Sequence, residues 1–206
     1  MTPQNNTTGS RAKFPIFSLV GIGLNIYMSY LFFSLWISPR VSDAEMILNL
    51  SVLMFFEFVL VHSGVFMTVL GRSWKSWLGF ISVYGLFALA FNTIVSGNLI
   101  IIIYGAVVLN RVLSGIFETD KDQEILMSCC YAVIYFFLMF AMVLLSSHIP
   151  EFGLNAEFLA ASKYNQMRRA AGINVETHAM MCFGAVYYMS LTLIDVLFLK
   201  RDLKKA

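Results

Sequence analysis

The chain has 206 residues, 59% of them hydrophobic and 13% charged, with a mean hydropathy of +0.75. Soluble domains carry roughly 25% charged residues, so this composition excludes an ordinary soluble domain and points to a membrane protein. A formal net charge of +2 gives no footing for a nucleic-acid partner, and the length allows one domain without a sizeable soluble appendage.

A helix needs about 20 apolar residues to cross the hydrocarbon core of a bilayer. Six runs meet that need: 14–37, 46–70, 77–95, 99–117, 125–149 and 177–199. They predict an all-α, polytopic integral membrane bundle of six transmembrane helices over 14–199. A flexible tail over 1–13 precedes it, and a basic tail over 200–206 follows. The first run follows Arg11 and Lys13 and is 24 residues long, beyond a cleaved signal peptide, so it reads as a retained signal anchor. The third and fourth runs are joined only by Ser96, Gly97 and Asn98, turn residues that favour a tight hairpin. A single kinked segment in their place would give five spans instead.

Cytoplasmic connections of membrane proteins are enriched in Lys and Arg. With six spans, one side holds ten basic residues: Arg11, Lys13, Arg72, Lys75, Arg111, Lys121, Lys200, Arg201, Lys204 and Lys205. The other holds four: Arg40, Lys163, Arg168 and Arg169. This split places both termini in the cytoplasm and the longest connection, 150–176, outside. Good helix formers fill 154–171, so a helix on the membrane surface or across the end of the bundle is expected there.

One acid stands out. Glu57 lies near the middle of the second run, where a bare carboxylate costs about 2.5–3.5 kcal/mol on insertion scales. It must be neutral, paired or facing water. His62 follows five residues later, which puts the two side chains roughly 140° apart on a helix. That separation disfavours a shared metal site, and interhelical hydrogen bonding is the commoner role for either residue.

On the sixth run, His178, Cys182, Ala185, Tyr188, Thr192 and Asp195 share one helical face, which should turn toward the bundle interior. Arg111, on the cytoplasmic half of the fourth run, should lie at the depth of Asp195 and is expected to pair with it as structural glue. Stripes of small and weakly polar residues also suggest faces turned toward protein. They comprise Ser18, Gly21, Asn25 and Ser29 on the first run, and Gly79, Ser82, Gly85, Ala88 and Asn92 on the third.

Near the outer surface, His148 and Glu151 end the fifth run, and Glu176 and His178 begin the sixth. Imidazole and carboxylate suit Zn, Cu, Fe or Mn, so these four residues are the candidate ligands for a divalent metal. The spacing matches no known motif, and solvated interfacial residues would look the same. The three cysteines, Cys129, Cys130 and Cys182, fall inside spans and imply no disulfide framework. Histidine boxes, H-E-x-x-H, G-x-S-x-G and the phosphate-cradling glycine loop are all absent.

Three function classes follow, in descending order. The first is an accessory or structural subunit of a larger membrane protein complex, in contact with lipids and other subunits or with itself. The second is a small transporter or substrate-binding component using Glu57 and the His178–Asp195 face. The third is a metal-dependent enzyme. Bound lipid is expected in each case, and the expected location is a cell membrane, plasma or inner.

Overall fold

The computed structural model describes residues 15–69, 74–95, 97–117 and 121–205, and among these every regular element is helical. The expected tail over 1–13 and the connections at 70–73 and 118–120 lie outside the described residues. Eight α-helices are described: α1 (Pro15–Ile37), α2 (Ala44–Val69), α3 (Trp74–Asn92), α4 (Leu99–Phe117), α5 (Lys121–Leu145), α6 (Ala156–Ala161), α7 (Tyr164–Ala170) and α8 (Thr177–Lys205).

Local chemistry sets the ends of these helices. Pro15 stands first in α1, where its missing N–H has no helical partner to lose. Pro39 keeps Ser38 out of helical conformation, so α1 stops at Ile37. Before α2, Arg40 donates its backbone N–H to Asp43 Oδ2 at 2.8 Å, which closes a 3-10 turn at Val41–Asp43. Asn155 caps α6 by accepting from Phe158 N–H at 3.0 Å.

Among the described residues, four helices are long and apolar enough to cross a membrane, over Leu19–Ile37, Val41–Ser63, Ile125–His148 and Thr177–Arg201. Those stretches fall on α1, on α2 with the 3-10 turn before it, on α5 with the 3-10 turn after it, and on α8, and they mark the chain as a membrane protein. Within them 67% of the α2 stretch is buried against 11% of the α5 stretch, so α2 is the central helix and α5 forms an outer wall. The outward side of α5 carries Val133, Phe137, Phe140, Val143 and Leu144, all more than half exposed. A water-facing surface rarely shows such a continuous apolar patch, whereas lipid tails match it.

Among the described residues, α1 packs most extensively against α8. Gly184 on α8 makes that approach feasible, because a Cβ there would stand 2.3 Å from Phe32 Cδ1 on α1. Helix α8 also packs on α5 and α2, and α2 on α5, which closes a four-helix core. Helices α3 and α4 join this core through α2. The sequence left 77–117 open between a hairpin and one kinked segment, and two helices folded back on each other form. Asn92 Nδ2 donates to the Gly97 carbonyl at 3.1 Å, and Gly97 takes a φ of +77°, in the left-handed region. Tyr104 on α4 donates to the Ile81 carbonyl on α3.

The helix expected over 154–171 divides into α6 and α7. Lys163 interrupts it with a φ of +55°, a left-handed conformation that a continuous α-helix cannot contain. Together the two short helices close one end of the bundle, here termed the cap. Tyr164 is fully buried, with its hydroxyl 3.5 Å from that of Ser51 on α2. On the far side of the cap, Trp36 Nε1 donates to the Pro150 carbonyl at 2.9 Å, and Gly153 N–H donates back to the Trp36 carbonyl at 3.2 Å.

Candidate functional site

Glu57 is 13 residues from the start of α2 and 12 from its end, about 20 Å from either by helical rise. It is partly buried. Tyr187 on α8 donates its hydroxyl to Glu57 Oε1 at 3.0 Å. Tyr135 on α5 donates to the Met54 carbonyl, one turn earlier on α2, at 2.6 Å. The rings of Tyr135 and Tyr187 meet edge to face at 5.3 Å, and Tyr187 meets Tyr188 at 5.2 Å. The mid-span carboxylate thus sits beside a cluster of tyrosines drawn from α5 and α8. Burying a tyrosine ring contributes apolar area, but its hydroxyl then needs a partner; Glu57 and the second lone pair of the Met54 carbonyl serve here.

A second polar tier lies further along α8. Asp195 accepts from Asn25 Nδ2 on α1 at 3.0 Å and from the Tyr131 hydroxyl on α5. The expected pairing of Asp195 with Arg111 rests on a side chain outside the described residues, whereas Asn25 and Tyr131 are the described partners. Helix α4, which carries Arg111, packs on α3 and α2.

The third tier is at the cap end. His178 is buried and donates Nε2 to the Ser146 carbonyl at 3.1 Å, tying α8 to the turn after α5. His148 is exposed and has its Nδ1 3.2 Å from the Ser147 hydroxyl. Glu151 and Glu176 are exposed as well. The four candidate metal ligands are not brought together: among the described residues, no group of three or more His, Cys, Asp or Glu side chains is placed to hold a metal ion.

Glu57 and His62 diverge, as five residues of helix require. Glu57 faces α8, while His62 turns to α5, with its ring 4.9 Å from that of Phe136. His62 Nδ1 donates to the Phe58 carbonyl one turn back, at 2.6 Å. Two members of the α1 stripe face α8, since Ser29 donates to the Ala185 carbonyl at 2.9 Å and Asn25 reaches Asp195; a Cβ on Gly21 would meet nothing within 4 Å, and the Ser18 side chain lies outside the described residues. On α3 the stripe is divided. Ala88 is buried, but Ser82 is exposed and a Cβ on Gly79 would meet nothing within 4 Å.

Tyr131, Tyr135 and Tyr187 were not among the candidates that sequence alone put forward. Their spacing carried a usable hint, since Tyr131 and Tyr135 are one turn apart on the fifth run and share a face. No family model, no curated protein and no solved structure matches this chain.

Proposed function

We propose that the chain is an integral accessory or structural subunit of a larger membrane protein complex. In this reading all six apolar runs cross a cell membrane, plasma or inner, and both termini are cytoplasmic. The observation that carries it is the 3.0 Å bond from Tyr187 to Glu57. A mid-membrane carboxylate engaged by a neighbouring helix of its own chain serves as an interhelical tie, as polar residues commonly do in membrane bundles. Asp195 and His178 support the same reading, because each also joins α8 to other elements. With these polar groups engaged inside, the surface left for function is the apolar, aromatic-rich exterior of α1, α3, α4 and α5.

A transport role is the second reading. What favours it is that His178, Tyr187 with Glu57, and Asp195 form three polar tiers along α8, about 13 Å and 12 Å apart by helical rise. Mild-detergent purification from the native host separates the two. Other membrane proteins copurifying at fixed stoichiometry support the subunit; a lone chain supports transport.

A further inference from the structure

The last apolar run ends at Leu199, yet α8 continues as a helix to Lys205. Its final turns therefore stand at and beyond the edge of the hydrocarbon. They carry Lys200, Arg201, Lys204 and Lys205 against a single acid, Asp202.

These charges are placed on one side of the helix. At about 100° per residue the four basic positions span an arc of about 140°, and Asp202 falls outside it. Asp195, whose partners lie on α1 and α5, is about 150° from the middle of that arc. The basic sector thus faces away from the bundle. Going back along α8, the same sector becomes apolar surface. Val186, Leu193 and Leu197 share it and Met189 borders it, all four exposed, Leu193 by 62% and Leu197 by 65%. The guanidinium of Arg201 lies over the Phe198 ring, 4.7 Å from its centroid, a cation–π contact that holds the charge at the apolar edge. Basic residues at a helix C-terminus also complement the helix dipole, but that effect is indifferent to the side they occupy. A one-sided arrangement, continuous with a lipid-facing stripe, is what a membrane surface requires.

We infer that the C-terminal end of α8 binds an anionic phospholipid of the cytoplasmic leaflet, with the headgroup phosphate on Lys200 and Arg201 and an acyl chain along Leu197, Leu193 and Met189. Charge complementarity selects the occupant. Lysine and arginine clustered just cytoplasmic of a membrane helix attract anionic headgroups, by about fivefold in affinity for each residue. The apolar stripe beside them selects a phosphate carried on acyl chains over one free in solution. This binding goes beyond the subunit reading and rests only on the cytoplasmic C-terminus proposed with it.

The test is photocrosslinking of the full chain in phosphatidylcholine vesicles doped with a phospholipid that carries a diazirine on one acyl chain. The probe is used either as phosphatidylglycerol or as phosphatidylcholine. The phosphatidylglycerol probe is expected to give the higher yield of adducts on 189–201, and about 1 M salt should abolish the difference. Lys200→Gln combined with Arg201→Gln, both at exposed positions, should weaken phosphatidylglycerol capture about 25-fold. Arg169→Gln, on the cap, should leave it unchanged, with circular dichroism reporting that each variant folds. Equal yields from the two probes on 189–201, or a phosphatidylglycerol yield unmoved by the double variant, would overturn the inference. The leaflet is tested separately with Ala206→Cys in intact cells, measured against the wild-type chain. An impermeant maleimide should label it only after permeabilisation; labelling before that would overturn the cytoplasmic orientation, a failure distinct from equal crosslinking yields.

Discussion

Tyr187 on α8 and Glu57 on α2 meet at 3.0 Å in the middle of the bundle, 130 residues apart in sequence. The bond needs an acceptor at position 57 and does not need a charge there. Glu57→Gln is therefore expected to keep the fold, with the glutamine carbonyl accepting from Tyr187. Tyr187→Phe removes the donor and should lower stability by about 1 kcal/mol, within the range for interhelical bonds in membranes. Unfolding of the two variants by denaturant in detergent measures both; a Tyr187→Phe protein as stable as wild type would remove the bond from the account.

Asp195 offers a test of cooperation between helices. It has described donors on two of them, Asn25 on α1 and Tyr131 on α5. Losing either leaves the other, so Asn25→Leu and Tyr131→Phe should each cost about 1 kcal/mol or less. Losing both removes the two described donors of the carboxyl, and the double variant should lose more than the two singles combined. Strict additivity in the same unfolding measurement would show that the two donors do not act together.

The approach of α1 to α8 depends on the missing side chain at Gly184. A Cβ there would be 2.3 Å from the Phe32 ring. Gly184→Ala gains helix propensity of about 1 kcal/mol, but forcing atoms into a packed interface costs typically 1–3 kcal/mol. The net expectation is destabilisation. Shrinking the partner should relieve it, so Gly184→Ala with Phe32→Leu should lose less than the sum of the two singles. A stabilised Gly184→Ala would mean that the helices stand further apart than the structure places them.

Lys163 explains why the cap contains two helices. Left-handed backbone strains any residue with a Cβ, and most of all a β-branched one. Lys163→Val should destabilise the cap by about 1–2 kcal/mol, while Lys163→Gly should be neutral or stabilising. Hydrogen exchange at the Tyr164 and Gln166 amides would report it; equal protection in the two variants would contradict the assignment.

The apolar runs made the long helices legible, because length and hydropathy act locally. The turn at Gly97 was legible for the same reason, as was the divergence of Glu57 and His62, which helical geometry alone dictates. Partners across helices were harder to read. Depth in the membrane suggests Arg111 for Asp195, a pairing that rests on a side chain outside the described residues. The described donors are Asn25 and Tyr131, on helices that pack against α8. The break at Lys163 gave no warning, since 154–171 is composed of good helix formers; Phe158 before it and Tyr164 after it are both buried in the core.

In the proposed subunit, the carboxylate of Glu57 ties helices together and the working surface lies outside the bundle. Quantitative mass measurement of the native, mildly solubilised protein tests it directly, with wild type and Glu57→Gln compared side by side. Both are expected to assemble with the same membrane partners at the same stoichiometry. A wild-type chain that runs alone, and whose solute flux in vesicles disappears in Glu57→Gln, would contradict it.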